Sequence, residues 1–281
     1  MCKRNKDGLT LEQFLERYKP GDYERPSVTV DSVILGVKED YSTLKVLLIQ
    51  RGDHPYIGDW ALPGGFINMD ESAEDAASRE LKEETGLEAN YLEQLYTMSK
   101  PSRDPRMRVI SIAYMALTKV TSVRAGDDAS RAVWCDIKLN KGTENDELVI
   151  ENQDCGIYIK YKVKGSIKEY MRNKKASEEK FEVRAVSDMK LAFDHVFIIL
   201  MALERLKNKA KYTNVMFSVA EKMFTLPDIQ ALYSLMVNGK VYTKSFRDRI
   251  KPMLEDTGYK AKSIVGNKVS KLYRYKEEDE S

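Results

Sequence analysis

Three glutamates at helical spacing, with two glycines upstream, restrict the local fold of this sequence more than any other feature. Glu80, Glu83 and Glu84 lie in residues 72–85, a segment that predicts a helix ended by Gly86. Because residues three and four apart share one helical face, the three carboxylates project together. Like charges at that spacing repel one another unless a cation lies between them. We therefore expect a hard, oxygen-preferring ion here, Mg²⁺ first and Mn²⁺ as its substitute.

The loop before this helix supports the same interpretation. Gly64 and Gly65 follow a leucine and a proline, and glycine lets the backbone turn tightly and expose a carbonyl to the metal. A solvated acidic helix face is the competing explanation for the three glutamates. It does not account for the glycine pair or for Arg79, which immediately precedes Glu80. We therefore include the Gly64 backbone among the predicted metal ligands.

Residues 65–87 match the Nudix box at every defined position. The matching residues are Gly65, Glu71, Arg79, Glu80, Leu81, Glu83, Glu84, Gly86 and Leu87. The sequence thus resembles the Nudix hydrolases, and this implies an α/β fold, the Nudix α/β/α sandwich with a mixed sheet. The resemblance makes Arg79 the residue that orients a glutamate and Glu71 the support of the loop–helix–loop geometry. It assigns metal binding to Glu80, Glu83 and Glu84, and the predicted catalytic residues are Glu71, Arg79, Glu83 and Glu84.

The chemistry that the box implies is hydrolysis of a diphosphate. A bound metal would neutralise the diphosphate and position an attacking water. The general base stays open at this level, because several carboxylates fit the role. The candidates are Glu83 in the box and Asp127 and Asp128 in a later loop.

The segments around the box narrow the choice of substrate. Residues 58–66, 91–97 and 103–106, with the loop at 125–129, resemble the ADP-ribose branch of the Nudix hydrolases. That resemblance implies ADP-ribose, or a related nucleoside diphosphate derivative, as the ligand. Arginines suit phosphate contacts, and an aromatic side chain can stack on adenine. The predicted substrate-binding residues are Arg51, Phe66, Arg103 and Arg106, while Trp134 has two interpretations, as a stacking surface or as a core residue.

Hydrophobic patterning divides the chain into a large first domain and a small second one. Runs rich in Val, Ile and Leu predict buried strands at 27–37 and 42–51, and residues 91–98 and 107–117 are also predicted to be strands. An apolar helix at 191–207 closes the first domain. The polar stretch 138–186 contains one clear strand, at 156–163, and is interpreted as an elaboration of the same domain. We place the first domain at 1–210 and the second at 211–281.

The second domain has the pattern of a small winged helix-turn-helix. Thr225 caps a helix that ends at Asn238, a second helix begins near Thr243, and a turn at 265–268 predicts a hairpin. Residues 240–276 hold eleven basic and three acidic side chains, and their net charge of +8 favours a polyanionic partner. Such a unit places its second helix in the DNA major groove, whereas a helical docking domain is the alternative. The predicted DNA-binding residues are Lys244, Arg247, Lys251 and Lys268.

Together the two domains resemble the Nudix-related transcriptional regulators of bacterial NAD metabolism. Besides the box, the resemblance rests on Phe-Thr-Leu-Pro-Asp at 224–228, Lys-Ser-Phe-Arg-Asp-Arg at 244–249 and Leu-Tyr-Arg-Tyr at 272–275. It implies a first domain that senses ADP-ribose and a winged helix that binds an operator. The chain departs from the family at 266–268, where Gly-Asn-Lys replaces Gly-Arg-Pro, and at Pro252, which should kink or shorten the second helix.

Two functions therefore stay open. The first is an active magnesium-dependent hydrolase joined to a DNA-binding module. The second is a sensor that regulates transcription and has little or no hydrolase activity. On general grounds, either would act as a homodimer on double-stranded DNA, because two-fold proteins read pseudo-palindromic operators.

The composition favours a cytoplasmic protein without a membrane partner. No apolar run approaches the roughly 18 residues that cross a bilayer, and no apolar stretch follows the basic start of the chain. The cysteines, Cys2, Cys135 and Cys155, are odd in number and scattered, which fits neither a disulfide framework nor a zinc site. A reducing compartment is therefore expected.

Overall fold

The structure is a computed structural model that describes residues 3–19, 21, 24–123, 129–172 and 181–276. The elements up to residue 98 are α1 (Leu11–Arg17), β1 (Ser27–Val37), β2 (Leu44–Arg51), β3 (Trp60–Ala61), β4 (Gly64–Phe66), α2 (Ala73–Thr85) and β5 (Tyr91–Met98). They are followed by β6 (Val109–Lys119), β7 (Ala129–Asn140), β8 (Asp146–Asn152), β9 (Ile157–Lys164), α3 (Ile167–Arg172), β10 (Glu182–Ala185) and α4 (His195–Tyr212).

The sheet of the first domain is mixed, and helices cover both of its faces. Its strand order is β10-β9-β8-β7-β2-β1-β6-β5, with β1 and β6 parallel and the other pairs on this path antiparallel. Successive side chains of a strand point to opposite faces. Accordingly, Val30 and Ile34 of β1 lie in clusters with α2 residues, whereas Val33 and Leu35 share a core with α4. The predicted α/β/α sandwich is confirmed.

The stretch 138–186 extends this sheet by three strands. β8 and β9 continue it as an antiparallel meander beyond β7, and β10 pairs with β9. The strand predicted at 156–163 is β9, whose residues are alternately buried and exposed or half-buried. β8 was not predicted, because its apolar centre is only three residues long and acidic side chains flank it.

The closing helix begins later than predicted. Residues 191–194 are not helical, because Leu191 bridges to Trp60 and the Ala192 amide donates a hydrogen bond to the Trp60 carbonyl. Phe193 then adopts a positive φ of 51°, which turns the chain into α4. The helix runs on to Tyr212 and therefore crosses the boundary expected at residue 210. No described helix has both the length and the apolar content needed to cross a bilayer.

The second domain is a winged helix. A 3-10 helix (Val215–Ser218) leads into β11 (Phe224–Thr225), α5 (Leu226–Val237), α6 (Thr243–Ile250), β12 (Leu254–Lys262) and β13 (Val269–Tyr275). Its small sheet has the order β11-β13-β12. Thr225 and Asp228 form a capping box at the start of α5, and Asn238 ends the helix in the left-handed region. As predicted, Pro252 shortens the second helix, since α6 ends at Ile250 and a 3-10 turn follows.

Trp134 is a core residue rather than a stacking surface. Its side chain is 8% exposed and lies in a cluster with Ile34, Leu47 and Leu81, between the sheet and α2. The indole nitrogen donates a hydrogen bond to the Thr121 carbonyl at 2.9 Å. The first of its two interpretations is therefore wrong, because the ring faces the inside of the sandwich.

We expect Trp134→Ala to lower the free energy of unfolding by about 3–5 kcal/mol, the range for deleting a large buried aromatic side chain. Urea denaturation followed by far-UV circular dichroism measures the change. Tyr158→Ala is the control, because Tyr158 is 48% exposed on β9 and should cost far less. Equal losses in the two variants would contradict the assignment of Trp134 to the core.

Candidate functional site

Local capping interactions and the packing of its apolar side determine where α2 begins and ends and which way its acidic face points. Ser72 and Asp75 form a capping box at its start, and Gly86 ends it with φ 73°. Ala76, Ala77 and Leu81 are buried against the sheet. That packing fixes the rotation of the helix, so Glu80, Glu83 and Glu84 line a cleft at one end of the central strands β1 and β2.

Arg79 organises the acidic side chains around it. One terminal nitrogen, Nη1, donates to Glu80 Oε1 at 2.8 Å and to Glu83 Oε2 at 2.9 Å. Nε and Nη2 donate to the two carboxylate oxygens of Glu71 at 2.9 and 2.7 Å. Nη2 also reaches the Phe66 carbonyl at 3.2 Å, so one guanidinium joins the loop, the helix and two of the clustered acids.

The carboxylates of this network differ in their proton affinity. The hydrogen bonds from Arg79 and then from the Asn68 amide lower the pKa of Glu71 to about 2. Burial raises the pKa of Glu80 above its ordinary value, and the hydrogen bond from Arg79 only partly opposes it. Arg79 therefore stabilises the charged form of Glu80 only in part, and a nearby cation would stabilise it further.

The glycine loop lies directly against the acids. The Gly64 amide donates to Glu84 Oε2 at 2.7 Å, and a Cβ at Gly64 would lie 2.1 Å from the Val30 carbonyl oxygen. A Cβ at Gly65 would lie 2.1 Å from Glu80 Oε1. Any side chain at these positions would therefore push the loop away from β1 or the acid away from the loop.

The donor set suits a hard divalent cation, although its oxygens are not gathered around one point. Within the described ranges, no three His, Cys, Asp or Glu side chains converge as metal ligands. Glu80 and Glu83 are bonded to Arg79, and Glu84 turns to the Gly64 amide. All three line the same cleft and offer carboxylate oxygens, the ligands that Mg²⁺ prefers.

The cleft has the size and chemistry of a nucleotide site. Its volume is about 780 Å³, within the usual range for small-molecule sites. The glutamates line part of its wall, and the other lining residues include Arg51, Phe66, Arg103, Arg106 and Phe193. The Arg51 guanidinium lies 5.1 Å from the centre of the Phe193 ring, and its Nε donates to the Pro55 carbonyl. Acids and arginines in one cleft suit a metal-bound polyphosphate.

A buried ionic cluster forms the floor of the cleft. Arg103 donates to Asp31 at 2.9 Å and, through two nitrogens, to Asp194 at 2.7 and 3.1 Å. His195 Nδ1 accepts from the Leu62 amide at 2.9 Å, and its Nε2 lies 3.5 Å from Asp31. Burial lowers the pKa of His195, so its imidazole is neutral at neutral pH.

The winged helix exposes an unneutralised basic surface. Lys244 and Arg247 of α6, with Lys251 and Lys268, are exposed, and none of the four forms an ion pair with a described residue. Other cations of the domain are already paired: Lys271 with Asp256 at 2.7 Å and Arg274 with Glu255 at 2.8 Å. Arg249 instead packs over the Tyr233 ring and donates to the Lys211 carbonyl at 2.5 Å. These four exposed cations lie on α6, in the turn that follows it and at the hairpin tip.

Comparisons with known proteins match both domains. Residues 26–152 match the NUDIX domain, and residues 216–275 match the NrtR DNA-binding winged helix domain. The chain is 30% identical to Shewanella oneidensis NrtR in a crystal structure with a 27mer DNA, over 89% of this chain and 93% of that one, with a TM-score of 0.57. This chain belongs to the NrtR family of Nudix proteins. It joins a Nudix domain to a DNA-binding winged helix.

Two further relatives differ in how much of this NrtR-family chain they cover. The ADPR responsive transcriptional repressor NtrR of Acinetobacter baylyi is 29% identical over 274 residues, which are 95% of this chain and 89% of that protein. An ADP-ribose pyrophosphatase of Methanocaldococcus jannaschii is 39% identical over 135 residues, which are 48% of this chain and 75% of that protein. The chain is therefore similar to a repressor along nearly all of its length and to an enzyme along about half.

The structure brings the predicted Nudix residues together. Glu71, Arg79, Glu80 and Glu83 form one hydrogen-bonded network, Glu84 and Gly64 are bonded to each other, and Arg51, Phe66, Arg103 and Arg106 line the same cleft. Two of the arginines already form ion pairs. Arg106 pairs with Asp104, and Arg103 pairs with Asp31 and Asp194 at the floor of the cleft. Asp127 and Asp128, the other candidates for the general base, lie outside the described residues.

Sequence reasoning missed the acids and the histidine of the cleft floor. Asp31 is the one charged residue of β1, and a buried carboxylate in such a strand requires a partner. The sequence thus indicates that Asp31 has a partner, but it does not identify Arg103, which is 72 residues away. Asp194 and His195 gave a weaker signal, because polar residues are common where a helix begins.

The pair of Glu71 and Arg79 should make stability depend on pH. A carboxyl whose folded pKa is about 2 stabilises the fold above its unfolded pKa near 4.5, and this contribution is lost as the pH falls toward 2. We expect the wild type to be more stable than Glu71→Gln in urea at neutral pH, and the difference to shrink below about pH 4.5. Glu74→Gln, at an exposed position of α2, should show no such trend. A difference between wild type and Glu71→Gln that stays constant down to pH 3 would contradict the pairing.

Proposed function

We propose that the Nudix domain binds ADP-ribose, or a related nucleoside diphosphate derivative, and hydrolyses its diphosphate with the help of Mg²⁺. The observation that carries the proposal is the cleft of about 780 Å³ in which three clustered glutamates share the wall with arginines. The relatives named for ADP-ribose support the ligand, and the pyrophosphatase among them supports the reaction. Turnover would convert ADP-ribose and water to AMP and ribose 5-phosphate.

The residues of the cleft have separate roles in this proposal. Mg²⁺ held by Glu80, Glu83 and Glu84 would neutralise the diphosphate and polarise the attacking water. Arg79 keeps two of these acids in place. The terminal nitrogens of Arg51 form no hydrogen bond with a described residue and would contact a phosphate. The water oxygen would form a bond to one phosphorus of the diphosphate, and the bond from that same phosphorus to the bridging oxygen would break. The bridging oxygen would leave as part of the other phosphate. Of the three candidates for the general base, Glu83 is the one that lies within the described residues. Its side chain is 60% exposed and would accept the proton of the water.

We further propose that the winged helix binds double-stranded DNA through α6 and the hairpin tip, and that the chain acts as a homodimer. Support for the DNA contact comes from the exposed, unpaired cations on these two elements. The 27mer complex of the Shewanella relative supports the same partner. The dimer is proposed on symmetry alone, because a two-fold protein matches a pseudo-palindromic operator.

A sensor with little turnover is the second candidate. It is favoured by the bonding of Glu80 and Glu83 to Arg79, since a metal would have to compete with the guanidinium for these oxygens. A relative that matches nearly the whole chain, the one from Acinetobacter baylyi, is a repressor. A panel of ADP-ribose, NAD, FAD, dinucleoside polyphosphates and nucleotide sugars, incubated with Mg²⁺, separates the two candidates by the products formed.

We predict that Glu84→Gln abolishes magnesium-dependent release of AMP from ADP-ribose while the fold is kept. The amide oxygen of glutamine can still accept from the Gly64 amide, but the negative charge that a metal requires is gone. Chromatography of the products gives the rate, and circular dichroism checks the fold. Glu74→Gln removes an equal charge from an exposed position of the same helix and should keep the wild-type rate. Undiminished turnover in Glu84→Gln would remove the catalytic assignment.

We also predict that Arg247→Ala weakens binding to operator DNA and reduces its salt dependence, because one phosphate or base contact is lost. Gel shifts at several salt concentrations with DNA from upstream of NAD-metabolism genes measure both. Arg184→Ala, on the exposed edge strand β10, is the control with the same change of charge. If wild type and Arg247→Ala bound alike, or if no salt-sensitive binding occurred, the proposed interface would be wrong.

A further inference from the structure

A single buried carboxylate connects the first turn of α5 to the tip of the hairpin. Asp228 is 2% exposed. Its Oδ1 accepts hydrogen bonds from Ser263 Oγ at 2.6 Å, from the Ile264 amide at 2.8 Å and from the Val265 amide at 3.3 Å. Its Oδ2 accepts from the amide and the hydroxyl of Thr225 at 3.1 and 2.7 Å. One oxygen therefore completes the helix cap, and the other binds the turn 35–37 residues later.

The hairpin needs such an anchor, because its own pairing is interrupted. The register between β12 and β13 shifts between Asp256 and Lys260, and Gly258 has φ 78° there. A bulge of this kind bends a two-stranded ribbon and leaves the direction of its tip weakly defined. Beyond the bulge only three residue pairs precede the turn. The bonds to Asp228 fix the tip to the body of the domain.

The same turn of α5 also contacts the second helix. Gln230, two residues after Asp228, donates from Nε2 to the Thr243 hydroxyl at 3.0 Å, at the start of α6. One helical turn thus bonds to both elements that carry the exposed cations. Although burial opposes ionisation, the hydrogen bonds from Ser263 and Thr225 lower the pKa of Asp228, so it is charged at neutral pH.

We propose that Asp228 is a positioning residue for DNA binding, which holds the hairpin tip at the distance from α6 that lets both elements contact one duplex. In this arrangement the exposed Lys262 and Lys268 reach phosphates while Lys244 and Arg247 of α6 occupy the groove. The inference rests on the proposed DNA-binding function and adds a determinant that does not touch DNA itself. The competing role is that of a helix cap, which would contribute stability alone.

The salt dependence of DNA binding separates the two roles. Each phosphate contact adds about 0.9 to the slope of log affinity against log salt concentration. If the tip is released in Asp228→Asn, the slope should fall by about 2 for each bound protomer, and so by about 4 for the proposed homodimer, because the contacts of Lys262 and Lys268 are lost. Asparagine is matched in shape but places an NH₂ group against either the tip amides or Thr225, so one set of bonds must break. A cap alone would lower the melting temperature and leave the slope unchanged.

A double-mutant cycle makes the test sharper. Lys262→Ala/Lys268→Ala removes the tip cations directly and should lower the slope by the same amount. Adding Asp228→Asn to that variant should then change the slope little, because the contacts it would release are already gone. Asp154→Asn, an exposed carboxylate between β8 and β9, controls for the change of charge and should bind DNA like the wild type. Turnover of ADP-ribose should be unchanged in all of these variants.

Fluorescence anisotropy with full-length protein and labelled operator DNA at four salt concentrations gives the slopes. Because asparagine can keep the bonds to the tip, Asp228→Ala, which keeps neither set of bonds, is measured as well. An equal slope in the wild type and in both folded variants would overturn the inference, as would an additive loss in the cycle. If Asp228→Asn does not fold, Ser263→Ala takes its place, since it removes one bond to the tip and leaves the cap intact. Absence of DNA binding by the wild type would refute the proposed function instead, so the two failures are distinguishable.

Discussion

The attraction between Arg79 and its acidic neighbours is the interaction on which the Nudix site depends. Three glutamates within five residues of one helix repel one another, and burial makes the charge of Glu80 harder to hold. A guanidinium bonded to Glu71, Glu80 and Glu83 offsets that repulsion and ties the helix to the preceding loop. Gly65 is needed for the same reason, because Glu80 lies directly against it, whereas Gly64 leaves room for the β1 backbone at Val30.

Helix α4 joins this site to the winged helix. Asp194 and His195, where it begins, belong to the cleft floor, and the carbonyls of Ala210 and Lys211 at its other end accept hydrogen bonds from Arg249 of α6. The helix has 18 residues, a length of about 27 Å. Buried residues of α4 and α5 share one core. The proposed effector and operator would therefore bind at opposite ends of one helix, and linkage requires their effects on each other to be reciprocal.

The parts of this molecule that the sequence predicts well are the ones determined by short-range spacing. The Nudix box, the capping box of Thr225 and Asp228, and the shortening of α6 by Pro252 all depend on residues a few positions apart. The cleft floor could not be predicted, because Arg103 finds its partners 72 and 91 residues away. The net charge of residues 240–276 also does not show how many of its cations are free to contact DNA. Of the eleven cations in 240–276, Lys271 and Arg274 are paired within the hairpin and Arg249 packs against α4.

The central claim is that the acids of α2 bind a divalent cation against a diphosphate, and crystallography with Mn²⁺ tests it most directly. Crystals of the full-length protein grown with Mn²⁺ and a non-hydrolysable ADP-ribose analogue would be measured at the manganese absorption edge. The account predicts an anomalous peak in the cleft, coordinated by at least two of Glu80, Glu83 and Glu84 and by the analogue's diphosphate. Analogue bound without a peak there, with Glu80 and Glu83 still bonded to Arg79, would contradict it.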